Sequence, residues 1–136
     1  MNYLFVGIGG ILGALARFYL GTSVQQMSGS FFPYGTLSIN LVGCFLLSFI
    51  AYGSLFRWKL RRPYILAINT GCIGSFTTFS AFSVELFTLL EKAHYLAALG
   101  YMIFSVICGL AMSWLGIKLA RQLYGAKVDT AGGIHE

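Results

Sequence analysis

The sequence predicts an all-α integral membrane protein with four transmembrane helices, the third broken near its middle. Three observations carry that class. Of 136 residues, 57% are hydrophobic and 10% charged, whereas soluble domains carry about 25% charged residues. Uncharged runs cover residues 1–16, 18–56, 63–84 and 95–117, on the scale of the roughly 20 apolar residues that cross a hydrocarbon core, with a turn allowed inside the second. Within the third run, residues 71–85 read GCIGSFTTFSAFSVE, where a helix made only for anchorage would carry Leu, Ile and Val.

The first helix is expected over residues 3–22 and contains Arg17. No basic residue precedes its apolar part, so it is read as a retained helix and not as a cleaved signal peptide. A neutral loop of Ser, Gln and Gly, residues 23–32, ends at Pro33. The second helix covers residues 35–56 and stops at the basic cluster RWKLRR, residues 57–62. The third covers residues 64–90 and is broken near 74–77. Such breaks are tolerated in a bilayer only when the freed backbone is buried in protein or lines a cavity. The turn EKAH leads into the fourth helix, residues 95–124. Residues 1–124 are read as one four-helix transmembrane domain, and the polar tail 125–136 as disordered.

Composition and spacing exclude several functions. The net charge of +5 comes mostly from loop and tail residues near headgroups, so nucleic acid is not needed to explain it. Cys44, Cys72 and Cys108 fall in different helices without CxxC spacing, and His94 and His135 lie outside the spans. The cysteines are therefore read as small packing residues. A serine hydrolase at Ser80 or Ser83 would need a base; the spans hold no histidine, and Glu85 has no evident relay partner, so no enzyme is expected. Gly9 and Gly13, Gly10 and Ala14, Gly71 and Ser75, and Gly109 and Ser113 sit four apart, a spacing for close helix approach within the chain or between subunits.

Three motifs point further. The first helix holds GILGALARF, residues 10–18, which resembles the G-x-x-G-A-x-x-R-[YF] of the CrcB or Fluc fluoride channels. GTLSINLVGCF, residues 35–45, is similar to that family's G-T-x-x-[VI]-N-x-x-G-x-F, and the third helix carries its GxxG-x-x-TTFS-x-F-S-x-E run. The motifs keep the family's order over residues 9–85, and the four-helix layout matches across the chain. The resemblance implies a fluoride-selective channel that exports fluoride passively to relieve its toxicity. It also implies an antiparallel dimer, two fluoride pathways along its interface, and a structural sodium ion on backbone carbonyls at Gly74 and Thr77.

The residue chemistry suits that expectation. Fluoride is small and tightly hydrated, so a pore must replace its water with donors that do not trap it. Asn40 supplies two amide donors, and Thr36 lies four residues earlier on the same helical face. Phe79 and Phe82, three apart, can turn partially positive ring edges toward an anion. Ser80 and Ser83 repeat that step, although serine in a membrane helix often bonds back to its own backbone. Where the family usually has threonine this chain has Ala81, removing one hydroxyl. Tyr101 and Ser105, four apart in the fourth helix, are similar to the family's pore-facing tyrosine and serine.

Charges at membrane depth are functional candidates. Arg17 is expected near the end of its helix as an attractor or anchor at a pore mouth, and Glu85, one turn beyond Phe82, as a hydrogen-bond cap. With both termini and the 57–62 loop on one side, that side collects Arg57, Lys59, Arg61, Arg62, Lys118, Arg121 and Lys127, seven residues, while the opposite loops hold only Lys92. The positive-inside rule then predicts a multi-pass cell-membrane protein with cytoplasmic termini and one orientation. Such a chain is expected to pair with an oppositely oriented homologue, the alternative being a dual-topology homodimer. A proton-coupled fluoride antiporter would use Glu85 as its carrier. A small multidrug exporter would want an acid in the first helix, where this chain has Arg17.

Overall fold

The structure is a computed structural model and describes residues 2–56 and 61–125. The expected tail and most of the basic loop, Arg57 and Lys59 included, lie outside the described residues. Helix α1 runs Asn2–Ser28, past the expected end at Thr22. The polar residues read as a loop continue the helix because their side chains serve it: Ser23 Oγ donates to Tyr19 O at 2.7 Å and Ser28 Oγ to Gln25 O at 2.8 Å. Gly29, at φ 57°, supplies the left-handed residue that ends it. Arg17 therefore sits in the middle of α1 and not near its end.

Helix α2 is Tyr34–Phe56, entered through buried Pro33. The third span is built in pieces. A short helix α3, Arg62–Leu66, carries Pro63 in its first turn, where the missing N–H costs nothing. It passes into a π-helical segment, Ala67–Ile73, and then into α4, Gly74–Phe76. Thr77 and Thr78 are extended, at ψ 156° and 126°. Helix α5, Phe79–Glu91, resumes the span with Thr78 as its N-cap, the Thr78 hydroxyl accepting the Ala81 N–H at 3.2 Å. The break is thus placed at Thr77–Thr78, while Gly74 remains helical. A tight turn follows, closed by Lys92 N–H to Thr88 O and His94 N–H to Leu89 O. It leads into α6, Tyr95–Gly125.

The described residues contain four helical stretches long and apolar enough to cross a membrane. Helix α2 lies along α6, and α1 lies along the π segment. The second contact is a backbone approach. A Cβ on Gly9 would strike Ala67 O, and one on Gly13 would strike Cys72 O. At Gly109 a Cβ would meet Cys44 Sγ only at an ordinary contact of 3.6 Å, whereas one on Gly116 would strike Phe45 O and Ser48 Oγ. These small residues serve packing within the chain. The most buried large side chain is Tyr101, clustered with Leu89 and Ala98.

Candidate ion pathway

A broken helix frees backbone groups that hydrocarbon cannot satisfy. Here Asn40 takes them up. Its Oδ1 accepts the Thr78 N–H at 2.8 Å and its amide Nδ2 donates to Thr78 O at 3.0 Å, so one side chain of α2 pairs with the break as a strand would. One of the two donors expected to face an anion is therefore committed, and one N–H remains. Gly43, one turn along α2, leaves the space that the Thr77 methyl occupies.

On one side of Thr78 lies an open cavity of about 380 Å³, lined by Asn40, Cys44, Thr77, Phe79, Phe82 and Ser105 among others. The two rings have centroids 5.9 Å apart but different surroundings. Phe82 packs against Tyr101 at 4.8 Å, whereas Phe79 is 80% exposed. Ser83 Oγ donates to Phe79 O at 2.9 Å, the back-bond that serine favours in a helix, and Ser80 Oγ lies 3.2 Å from the Thr78 hydroxyl.

A second cavity, about 440 Å³, opens on the other side, and Arg17, Gln25, Thr36, Thr78 and Glu85 contribute to its wall. Both Glu85 oxygens are occupied: Oε1 accepts from the Thr36 hydroxyl at 2.6 Å and Oε2 from the Tyr101 hydroxyl at 2.7 Å. Thr36 and Tyr101, expected along the fluoride route, thus spend their protons on a carboxylate. Tyr101 is 0% exposed because Phe32 and Phe82 close over its ring, so it faces neither cavity directly. Two charge-assisted bonds hold the three helices α2, α5 and α6 at one point.

The backbone at the break fits a hard cation. In an unbroken helix the amides of Thr78 and Ala81 would reclaim the carbonyls of Gly74 and Thr77, but Asn40 Oδ1 and the Thr78 hydroxyl take those amides. The Thr77 hydroxyl approaches Gly74 O only at 3.5 Å. Gly74 is exposed on its side of the break. Oxygen donors of this kind suit sodium chemistry.

Sequence reasoning missed three features. Gln25 ties the α1–α2 connection together, donating from Nε2 to Ser30 O at 2.8 Å and Phe32 O at 3.1 Å and accepting the Gly35 N–H at 3.0 Å. Its setting among Ser and Gly read as loop. Thr78 is the wall shared by both cavities. The π segment left no composition signal.

A spanning helix broken part-way along, clamped by an amide and flanked by two cavities, marks a membrane protein of the transport class and not one that only anchors. Residues 4–117 match the family described as "CrcB-like protein, Camphor Resistance (CrcB)". The chain belongs to this CrcB family. It is similar to "Fluoride-specific ion channel FluC 1" of Bacillus cereus (strain ATCC 10987 / NRS 248), 48% identical over 117 residues, 86% of this chain and 85% of the relative. It is also similar to "Fluoride-specific ion channel FluC" of Oceanobacillus iheyensis, 43% identical over 119 residues, covering 88% of this chain and 91% of the relative. The protein of the same name from Gloeobacter violaceus is 42% identical over 125 residues, 88% of this chain and 96% of the relative.

Proposed function

We propose that this chain is a subunit of a fluoride-selective channel that lets fluoride leave the cell passively and so relieves its toxicity. The observation that carries the reading is the cavity at the clamped break, whose lining includes Asn40, with one amide N–H not committed to Thr78, together with Phe79, Phe82 and Ser105. Such a lining replaces fluoride's water with donors and ring edges and contributes no cation to trap the ion. Narrowed by a partner subunit, such a passage would favour the small ion that hydrogen-bond donors and ring edges can surround closely over a larger one.

The assembly is an antiparallel dimer. Phe79, 80% exposed on one chain, gains its second wall from the partner. A structural sodium ion held by Gly74 O and Thr77 O would neutralise carbonyl dipoles brought together at the centre and bind the subunits to each other. The basic bias fixes one orientation with cytoplasmic termini, and the partner is an oppositely oriented homologue. The test is anion efflux from liposomes, the chain alone and with candidate homologues. Fluoride efflux without a proton gradient and strong exclusion of chloride are expected. Comparable efflux of the two anions would refute selectivity, and a requirement for a proton gradient would make the protein an antiporter.

A further inference from the structure

Glu85 borders two cavities. Besides the Arg17 cavity, it forms part of a smaller one of about 120 Å³ whose other walls include Phe31, Thr88, Lys92 and His94. A third hollow, about 440 Å³, adjoins this one through Phe31 and His94 at the α5–α6 turn. The hollows share walls in series: Phe31 and His94 first, then Glu85, then Thr78, and beyond Thr78 the cavity with Phe79.

The α5 side of this series has a helical register. Glu85, Thr88 and Lys92 fall three and four residues apart, hence on one face. The Phe31 ring lies 4.7 Å from the His94 ring, tilted by 31°, so the α1–α2 connection and the α5–α6 turn meet across the mouth. Backbone bonds fix that turn, with Ala93 at φ 58°, so Lys92 and His94 are presented at a defined place. The charged and titratable groups facing the small cavity are Lys92, His94 and Glu85, all from α5 and its turn; Phe31 and Pro33 contribute none. The carboxylate's oxygens already accept two hydroxyl protons, leaving the ammonium and the imidazole as the groups that offer donors to a ligand.

We infer that the cavity between Lys92, His94 and Glu85 is the anion-attracting outer mouth of this passive pathway, through which a small hydrated anion passes in either direction between the outer solution and the Thr78 partition. The inference rests on the fluoride reading for the identity of the anion. Lys92 raises the local anion concentration by its field. His94 adds a second donor, charged when protonated. Every step is binding and displacement of water; no bond is made or broken.

The test uses fluoride efflux from liposomes, in the assembly that supports transport, alone or with its homologue. The fluoride gradient is set so that the Lys92 face is the entry side. At low ionic strength, Lys92→Glu is expected to lower flux on the order of three- to tenfold while Lys92→Arg matches wild type. The deficit should vanish when salt shortens the Debye length to about 3 Å, a recovery that a packing defect would not show. The second readout needs no transport. The chain has two histidines, so imidazole NMR signals of His94 should move when fluoride is added at mildly acidic pH, while those of His135 serve as reference. Efflux indifferent to Lys92→Glu at low salt, a deficit that salt does not rescue, or a His94 signal that moves no more than that of His135 would each overturn the mouth. Absence of fluoride efflux from wild type in every assembly would instead overturn the channel reading itself.

Discussion

Asn40→Ala removes both bonds to Thr78, of 2.8 and 3.0 Å, and strands an N–H and a C=O at a point where the helix is already interrupted. Leaving a fully buried polar group unsatisfied costs about 1–3 kcal/mol, so about 2–6 kcal/mol for the pair is an upper bound at half-buried Thr78. Hydrogen bonds between membrane helices average nearer 0.6 kcal/mol, which sets a floor of roughly 1 kcal/mol. A loss of about 2 kcal/mol is roughly thirtyfold in the folded-to-unfolded ratio. Asn40→Asp keeps an acceptor for the Thr78 N–H but no donor for Thr78 O, so it is expected to lose about half as much stability. Fluoride flux should fall in both variants, in the second because a carboxylate then borders the anion's cavity. Reversible unfolding in detergent micelles measures the first quantity and liposome efflux the second. Wild-type unfolding behaviour in Asn40→Ala would refute the reasoning, since Thr78 would then be held by something else.

Three further outcomes are expected. Gly13→Val should drive α1 off the π segment, because the new Cβ meets the Cys72 backbone, at a cost of about 1–3 kcal/mol; Gly7→Ala, with no atom within 4 Å, should be tolerated in the same unfolding assay. Phe79→Ile should cut fluoride efflux without changing subunit stability, since its ring is 80% exposed, whereas Phe82→Ile should reduce both by losing its 4.8 Å contact with Tyr101; unchanged flux in the two variants would make the rings packing elements. A reporter fused after Glu136 should sit in the cytoplasm in nearly every copy, since translocating the basic loop opposes the membrane potential at about 2.3 kcal/mol per charge per 100 mV; labelling from both sides with full activity from the chain alone would restore the dual-topology homodimer.

The four spans among the described residues were legible because a bilayer demands long uncharged runs, which the sequence shows. That the third span is interrupted was legible from its glycines and hydroxyls, although the break falls at Thr77–Thr78, at the end of the expected 74–77 stretch, with Gly74 still helical. What composition does not encode is which hydrogen bond each polar group chooses. Ser23 and Gln25 look like loop residues, yet bonding to nearby backbone makes one an extension of α1 and the other a brace for the chain that follows. Thr36 and Tyr101 look like open hydroxyls until α5 brings Glu85 between them, a meeting across 49 and 16 residues of chain. Periodicity places a side chain on a face; it does not say what the neighbouring helix offers there.

The π segment carries a consequence for how this sequence tolerates change. Gly74 N–H reaches Asn69 O, five residues back, so one residue is held as slack before the break. In α geometry each residue advances the helix by about 100°. Deleting one residue between 67 and 73 would use up that slack, letting the segment return to ordinary α pitch with Thr78 still facing Asn40, whereas a deletion within an α-helical stretch would turn the residues beyond it by about that angle. The π segment therefore works as a buffer, in which the loss of one residue is taken up as a change of pitch that elsewhere in the span would act as a rotation.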